Sequence, residues 1–181
     1  PRKVREMETY NLVVTSKEKD LETILNIYGE NHPDTARCYD EMGVVQRFIK
    51  DYKPAIQSHQ HALQIRLKLF GENHLDTAQS YENIGNAQYD MKDYKSASQS
   101  DKQALQIRLK LLGKNHADTA QSYHNIGRTH HEMKDYKSAL QSHQHALEIR
   151  LKLFRQNHPD TAQSYHEIGV TQHQLKDYKS A

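Results

Sequence analysis

His116-Ala117-Asp118-Thr119-Ala120-Gln121-Ser122-Tyr123-His124-Asn125-Ile126-Gly127 decides the fold, because the chain spells variants of it four times. Asp-Thr-Ala begins at Asp34, Asp76, Asp118 and Asp160, a spacing of 42 residues with no insertion or deletion. Lys-Asp-Tyr-Lys recurs with the same spacing from Lys50, Lys92, Lys134 and Lys176. A fixed period of this length is the signature of a solenoid, in which each unit packs on its neighbours.

Working outward from that stretch, each full unit reads as two helices. Helix A begins near Pro33, Leu75, Ala117 and Pro159 and runs about 16 residues. Proline in the first turn lacks an N–H that would go unused, and the following aspartate suits the positive helix start. Tyr39, Tyr81, Tyr123 and Tyr165, with Met42, Ile84, Ile126 and Ile168 three further on, form one apolar stripe. The Lys-Asp-Tyr phrase is the turn. Helix B follows with Leu63, Leu67 and Phe70 on one line and Ile65 and Leu69 on another, which predicts a helix sandwiched between neighbours.

The seven glycines occupy two repeat positions. Gly29, Gly71 and Gly113 stop helix B, where the left-handed conformation is open to glycine; Arg155 replaces the glycine in the last copy. Gly43, Gly85, Gly127 and Gly169 lie inside helix A, where glycine costs about 1 kcal/mol relative to alanine and needs a packing reason. The expected reason is close approach of helix B through Ala55, Ala97, Ala139 and Ala181. The domain reading is one repeat domain, 1–181: a diverged, helix B-like half repeat at 8–33, repeats at 34–75, 76–117 and 118–159, and a truncated repeat at 160–181.

Bulk properties exclude several function classes. With 25 basic and 23 acidic residues there is no concentrated basic footprint, so nucleic acid is not an expected partner. The longest apolar runs are a few residues, far short of the roughly 20 that span a bilayer, and the expectation is a soluble chain. One cysteine, Cys38, and no secretory signal fit a reducing, intracellular, cytoplasmic setting. Arg37 beside Cys38 could lower its pKa, while the bland reading makes it a small packing residue.

Thirteen histidines raise the question of metal. His59 and His61, or His143 and His145, point about 200° apart on a helix and cannot share an ion. His124 and His131, with His166 and His173, share a face of consecutive A helices and are expected to cluster on the inner side, titrating near pH 6.5; no metal site is expected. The Asn-His pairs at Asn31, Asn73, Asn115 and Asn157 read as capping loops rather than dyads. There is no phosphate-binding glycine loop and no nucleophile motif. Repetition itself argues against catalysis, and no cofactor is expected.

The aromatic, then an apolar residue and glycine in helix A, a tyrosine in the turn, an alanine three later, and Ala62-Leu63, Ala104-Leu105 and Ala146-Leu147 in helix B together resemble the tetratricopeptide repeat. The 42-residue unit, the Ala-Leu-x-Ile-Arg phrase and the Gly-x-Asn-His-Pro-Asp-Thr-Ala linker are similar to the kinesin light chain and nephrocystin-like variety. The resemblance implies an all-α, right-handed α-solenoid of antiparallel helix pairs and a non-catalytic scaffold. It also implies that helix A lines a concave groove for a protein or peptide ligand. The groove residues it points to are Arg47, Gln79, Asn83, Asn86, Tyr89, Gln121, His124, Asn125, Arg128, His131, His166 and His173, with Asp40, Phe48 and Gln163 beside them. The rival reading is a structural spacer or self-assembling array. The change from Asp40 to Glu82, His124 and His166 between copies favours recognition of an asymmetric partner. Two ladders depart from the family pattern, Gln46, Gln88, His130 and Gln172, and His59, Asp101 and His143; as polar groups they are expected to face each other or a wet groove. The two ends predict weak head-to-tail self-association, Tyr10, Leu21 and Leu25 against Tyr165, Ile168 and Leu175.

Overall fold

A computed structural model describes the backbone of residues 2–154 and 156–180 and the side chains of 12–154 and 156–176. The described residues form helices and no strand: α1 (Arg2–Tyr28), α2 (Pro33–Phe48), α3 (Tyr52–Phe70), α4 (Leu75–Asp90), α5 (Tyr94–Leu112), α6 (Ala117–Glu132), α7 (Tyr136–Leu153) and α8 (Pro159–Ser180). Helices α2, α4, α6 and α8 are the A helices, and α3, α5 and α7 the B helices. Two compact units result, residues 1–92 with α1 to α4 and residues 93–181 with α5 to α8. Within each unit every helix packs on the next, and α2 also touches α4 as α6 touches α8. Helices joined by so few residues and in contact run antiparallel.

The A helices start as the repeated linker dictates. His32, His74, His116 and His158 take the cap position, and the N–H of Asp34, Asp76, Asp118 and Asp160 donates to their Nδ1 at 3.2 Å. Three of these rings stack on the aromatic that ends the preceding helix: His32 on Tyr28, His74 on Phe70 and His158 on Phe154, with centroids 4.3, 4.4 and 4.1 Å apart. Thr35, Thr77 and Thr119 donate to the carbonyls of Gly29, Gly71 and Gly113. Those glycines have φ near +78°, and at Gly71 and Gly113 ψ is −175° and −176°. This is the extended mirror region rather than the expected left-handed helical one, and only glycine enters it readily.

Lysine takes the left-handed position instead. Lys50, Lys92 and Lys134 have φ of 65°, 66° and 62°. The Asp51 N–H reaches the Gln46 carbonyl and the Lys50 N–H the Arg47 carbonyl, a Schellman closure that Lys134 and Asp135 repeat on His131 and His130. The fourth copy departs: α8 continues as helix through Lys176 to Ser180, where a turn was expected. The strained lysine costs about 1–2 kcal/mol, which packing of α3 on α2 and of α7 on α6 offsets at Lys50 and Lys134; among the described residues no B helix follows α8.

The core is built from small and polar groups. Ala36, Ala55, Ala62, Ala78, Ala97, Ala104, Ala120, Ala139 and Ala146 are buried with Met42, Ile65, Ile84, Ile107, Ile126 and Ile149. The largest fully buried side chains are Arg150, His59 and His143. Both lines on helix B are less sandwiched toward its C-terminal end than the pattern suggests, since Leu69 and Leu111 of one line and Phe70 and Leu151 of the other remain more than a third exposed. Glycine inside helix A is explained differently from expectation. A Cβ at Gly43 would lie 2.7 Å from Cε1 and Nε2 of His59, and one at Gly127 would lie 2.5 Å from Cε1 of His143. The notch therefore houses an imidazole, one helical turn beyond Ala55 and Ala139; Ala181 lies outside the described residues.

Candidate interaction face of the A helices

In the first unit, two contacts fix the register of α2 beside α4. Asn83 Nδ2 donates to Asp40 Oδ1 at 3.2 Å, and Arg47 Nε stands 3.3 Å from Asp90 Oδ2. Asp40 is buried rather than facing a groove. It receives His59 Nδ1 at 2.8 Å and the Arg66 guanidinium, which also donates to Ser80 Oγ at 2.6 Å. Burial alone would raise the Asp40 carboxyl, but the His59 hydrogen bond, Arg66 and Asn83 outweigh it and hold it below the ordinary value. This ion pair locks α3 between α2 and α4.

The accessible part of this unit's A-helix face is thus Gln79, Asn83, Asn86 and Tyr89 on α4, with Val44, Arg47 and Phe48 on α2. Gln79, Asn83 and Asn86 recur at helical spacing on one side, and Gln79 donates to Asn83 Oδ1 at 3.1 Å. Val44 is 53% and Phe48 72% exposed. An exposed aromatic and valine one turn apart, beside half-exposed amides, form a strip with an apolar and a hydrogen-bonding edge.

The second unit treats the same positions differently. Asn125, which matches Asn83 in the repeat, is 3% exposed, and His124 is 2% exposed. His124 faces His143, with ring centroids 5.7 Å apart. Burial first, and then Arg150, His143 and Arg128, push His124 down to about 3. The expected cluster of His124, His131, His166 and His173 titrating near pH 6.5 is therefore corrected. His124 points into the helix pair, whereas His166 and His173 line an open concavity of about 450 Å³ on α8 with Tyr165 and Val170. What remains accessible on α6 is Gln121, Arg128 and His131, all half-buried.

Three residues that the sequence reading passed over organise these pairs. Arg66, Arg108 and Arg150 end the Ala-Leu-x-Ile-Arg phrase, and each donates to a serine of the next A helix, Ser80, Ser122 and Ser164. Arg150 also reaches the Asp160 carbonyl and Gln121 Oε1. Their exact recurrence was the available signal. The copy-to-copy variation lies among buried groups at Asp40, Glu82 and His124, where it goes with partners inside the chain, while His166 in the fourth copy is exposed. Three members of the two polar ladders are bonded outside the ladders: Gln46 accepts from Ser58, His130 bonds Ser98, and His59 pairs with Asp40.

Cys38 is buried, and burial raises its thiol, overriding the neighbouring Arg37. It is a packing residue. Among the described residues no group of three or more His, Cys, Asp or Glu is placed to hold a metal ion, and no helix is long and apolar enough to cross a membrane.

Helix pairs with these recurrent caps, turns and buried pairs define an all-α repeat protein. The Tetratricopeptide repeat family model matches residues 18–68, 50–110 and 100–152, and the chain belongs to that family. Among solved structures it is similar to BtubC (BKLC) from P. vanneervenii, at 18% identity and a TM-score of 0.83, covering 97% of this chain and 70% of that one. It is also similar to a putative kinesin light chain from Podosopora anserina with nearly identical TPR-like repeats, at 17% identity and a TM-score of 0.80 over 99% of this chain and 85% of that one. The apo form of RapI matches at 18% identity and a TM-score of 0.80, covering 96% of this chain and 46% of RapI. These likenesses show the all-α repeat-solenoid fold. A sequence comparison with curated proteins gives no significant match.

Proposed function

We propose that the chain is a non-catalytic scaffold that holds an extended segment of a partner protein along the accessible side of its A helices. The observation that carries this reading is the strip on α2 and α4, where Val44 and Phe48 stand exposed beside Asn83 and Asn86. An exposed aromatic next to amides that can donate to and accept from a peptide backbone is suited to an apolar anchor on an extended chain. Family membership supports protein interaction as the general role. Selection of peptides from a random library against the full chain, followed by Phe48→Ser and Asn86→Ala, tests it. Each substitution is expected to weaken the selected peptide at least tenfold while leaving stability within about 0.5 kcal/mol, as for surface changes. Unchanged affinity in both variants refutes the assignment.

A second reading, end-to-end association of copies, has its own observation. On α8 a Cβ at Gly169 would meet nothing within 4 Å, and Tyr165 is 49% exposed, so the face that receives a B helix elsewhere is open. On α1, Leu21 and Leu25 are half-buried, and the exposed apolar residues are Leu12, Val13, Ile27 and Tyr28; Tyr10 lies outside the described side chains. Sedimentation of the full chain against Val170→Glu is the test: association lost in the variant supports the reading, and a monomer at all concentrations removes it.

A further inference from the structure

Helix α3 and residues 136–154 are nearly the same in sequence, yet the A helices they pack on, α2 and α6, give them buried polar pairs of opposite chemistry. In the α2–α3 pair, His59 Nδ1 meets the Asp40 carboxylate, so a proton on that ring has a counter-charge. In the α6–α7 pair, the position of Asp40 is taken by His124, and His143 takes that of His59. Both rings are essentially inaccessible. Nδ1 of His124 and both nitrogens of His143 have no hydrogen-bond partner, and neither has Nε2 of the nearby His131.

The charges around this pair make protonation worse. Arg150 on α7 and Arg128 on α6 oppose a positive charge on either ring, and His131 opposes one on His143. Among the elements packed on them, α5 carries Asp101, Lys102 and Arg108, and α8 carries Asp160, His166 and Glu167. The Asp101 carboxylate is engaged by Thr129 at 3.3 Å. The backbone carbonyl of Asp160 accepts from Arg150, and that of Glu167 from Thr171. None of these carboxylates takes the place beside His143 that Asp40 takes beside His59.

We infer that the α6–α7 pair is an acid-sensitive latch: protons taken up by His124 and His143 open this helix pair while the α2–α3 pair, with its own carboxylate, stays closed. Burial first, then Arg150 for His124 and His131 for His143, lowers the two rings to about 3 and about 4. In the opened chain each takes a proton near pH 6.5. The open form therefore binds more protons below pH 6.5, and acid favours it progressively down to the folded values. Above pH 6.5 the pair costs nothing in protonation. The inference holds whether or not the A-helix face carries a ligand.

Hydrogen exchange on the full chain from pH 7.5 to 4.5, corrected for intrinsic exchange rates, tests it. The opening equilibrium of α6 and α7 amides is expected to rise ten- to a hundredfold per pH unit between 6 and 4.5, for uptake of one or two protons. The α2 and α3 amides should respond far less. His124→Asp copies the first repeat into the third and is expected to flatten the response of α6 and α7. Parallel loss of protection in both pairs, or an unchanged response in His124→Asp, overturns the latch. Imidazole resonances of the parent chain give a check that does not depend on the variant folding: His124 and His143 should stay neutral while the pair is closed, and titration of either buried ring near pH 6.5 overturns it.

Discussion

Replacing Gly127 by alanine and, separately, Gly169 by alanine makes the same chemical change at the same repeat position, and the two are expected to shift stability in opposite directions. Glycine to alanine inside a helix gains about 1 kcal/mol from backbone entropy. At Gly169 nothing lies within 4 Å of the new methyl, so that gain stands and the melting temperature rises by about 2–4 °C for a chain of this size. At Gly127 the methyl would sit 2.5, 2.6 and 2.9 Å from Cε1, Nδ1 and Cγ of His143. Because Cγ is among them, the ring cannot clear the methyl by turning about its own axis; it must change rotamer, and it is fully buried. Overpacking of this kind costs roughly 1–3 kcal/mol or more. With three close contacts the upper half of that range applies, leaving a net loss of about 1–2 kcal/mol and a fall of about 2–8 °C. Thermal and urea unfolding followed by circular dichroism give both values. Adding His143→Ala to Gly127→Ala should cost less than the two single changes together, since the ring that clashes is gone. If Gly127→Ala raises the melting temperature as much as Gly169→Ala does, the imidazole-in-notch account is wrong.

Other perturbations follow from the same contacts. Asp40→Ala strands His59 Nδ1 and the Arg66 guanidinium and is expected to cost about 3–5 kcal/mol, as when a buried pair loses one partner; urea unfolding would show it, and a loss below 1 kcal/mol would deny the lock. Because the Asp40 carboxyl is held below its ordinary value, its contribution is present above about pH 4 and is lost as pH falls through the folded value, so the penalty of Asp40→Ala should shrink in stronger acid. His158→Ala removes both an N-cap acceptor and the stack on Phe154, with an expected loss of about 1 kcal/mol read as faster amide exchange in the first turn of α8. Lys134→Gly relieves a left-handed lysine and should stabilise the chain by roughly 0.5–1 kcal/mol, visible as a rise in urea midpoint.

What the sequence made legible was whatever repeats. The Asp-Thr-Ala and Lys-Asp-Tyr phrases mark local backbone events, a cap and a Schellman turn, and such events depend on a few neighbouring residues, so α2 to α7 begin and end where the phrases place them. What it hid depends on a partner one or more helices away. Asp40 and His124 are polar and read as groove residues, yet they are buried because His59 and His143 come up against them from the next helix; Asn125 is buried as well. Polarity says that a group needs a partner; it does not say whether the partner is water, a ligand or the next helix. Asn83 shows the mixture, half-exposed yet spending one donor on Asp40, so its removal perturbs the fold as well as the face. Phe48 and Val44 carry the clearest accessible surface; Phe48 departs from Asp90, Glu132 and Gln174 of the later copies, and Val44 from Asn86 and Arg128 but not from Val170. The glycine notch was seen as a need for close approach, but the size of the approaching group could be read only from the packed helices.

The most direct test of the scaffold account is a hydrogen-exchange footprint of the full chain with a selected peptide bound. The account predicts added protection on α2 from Val44 to Phe48 and on α4 from Gln79 to Tyr89, with the outer side of the B helices around Leu69, Leu111 and Leu151 unchanged. Protection confined to those B-helix positions, or to the open face of α8, would contradict it.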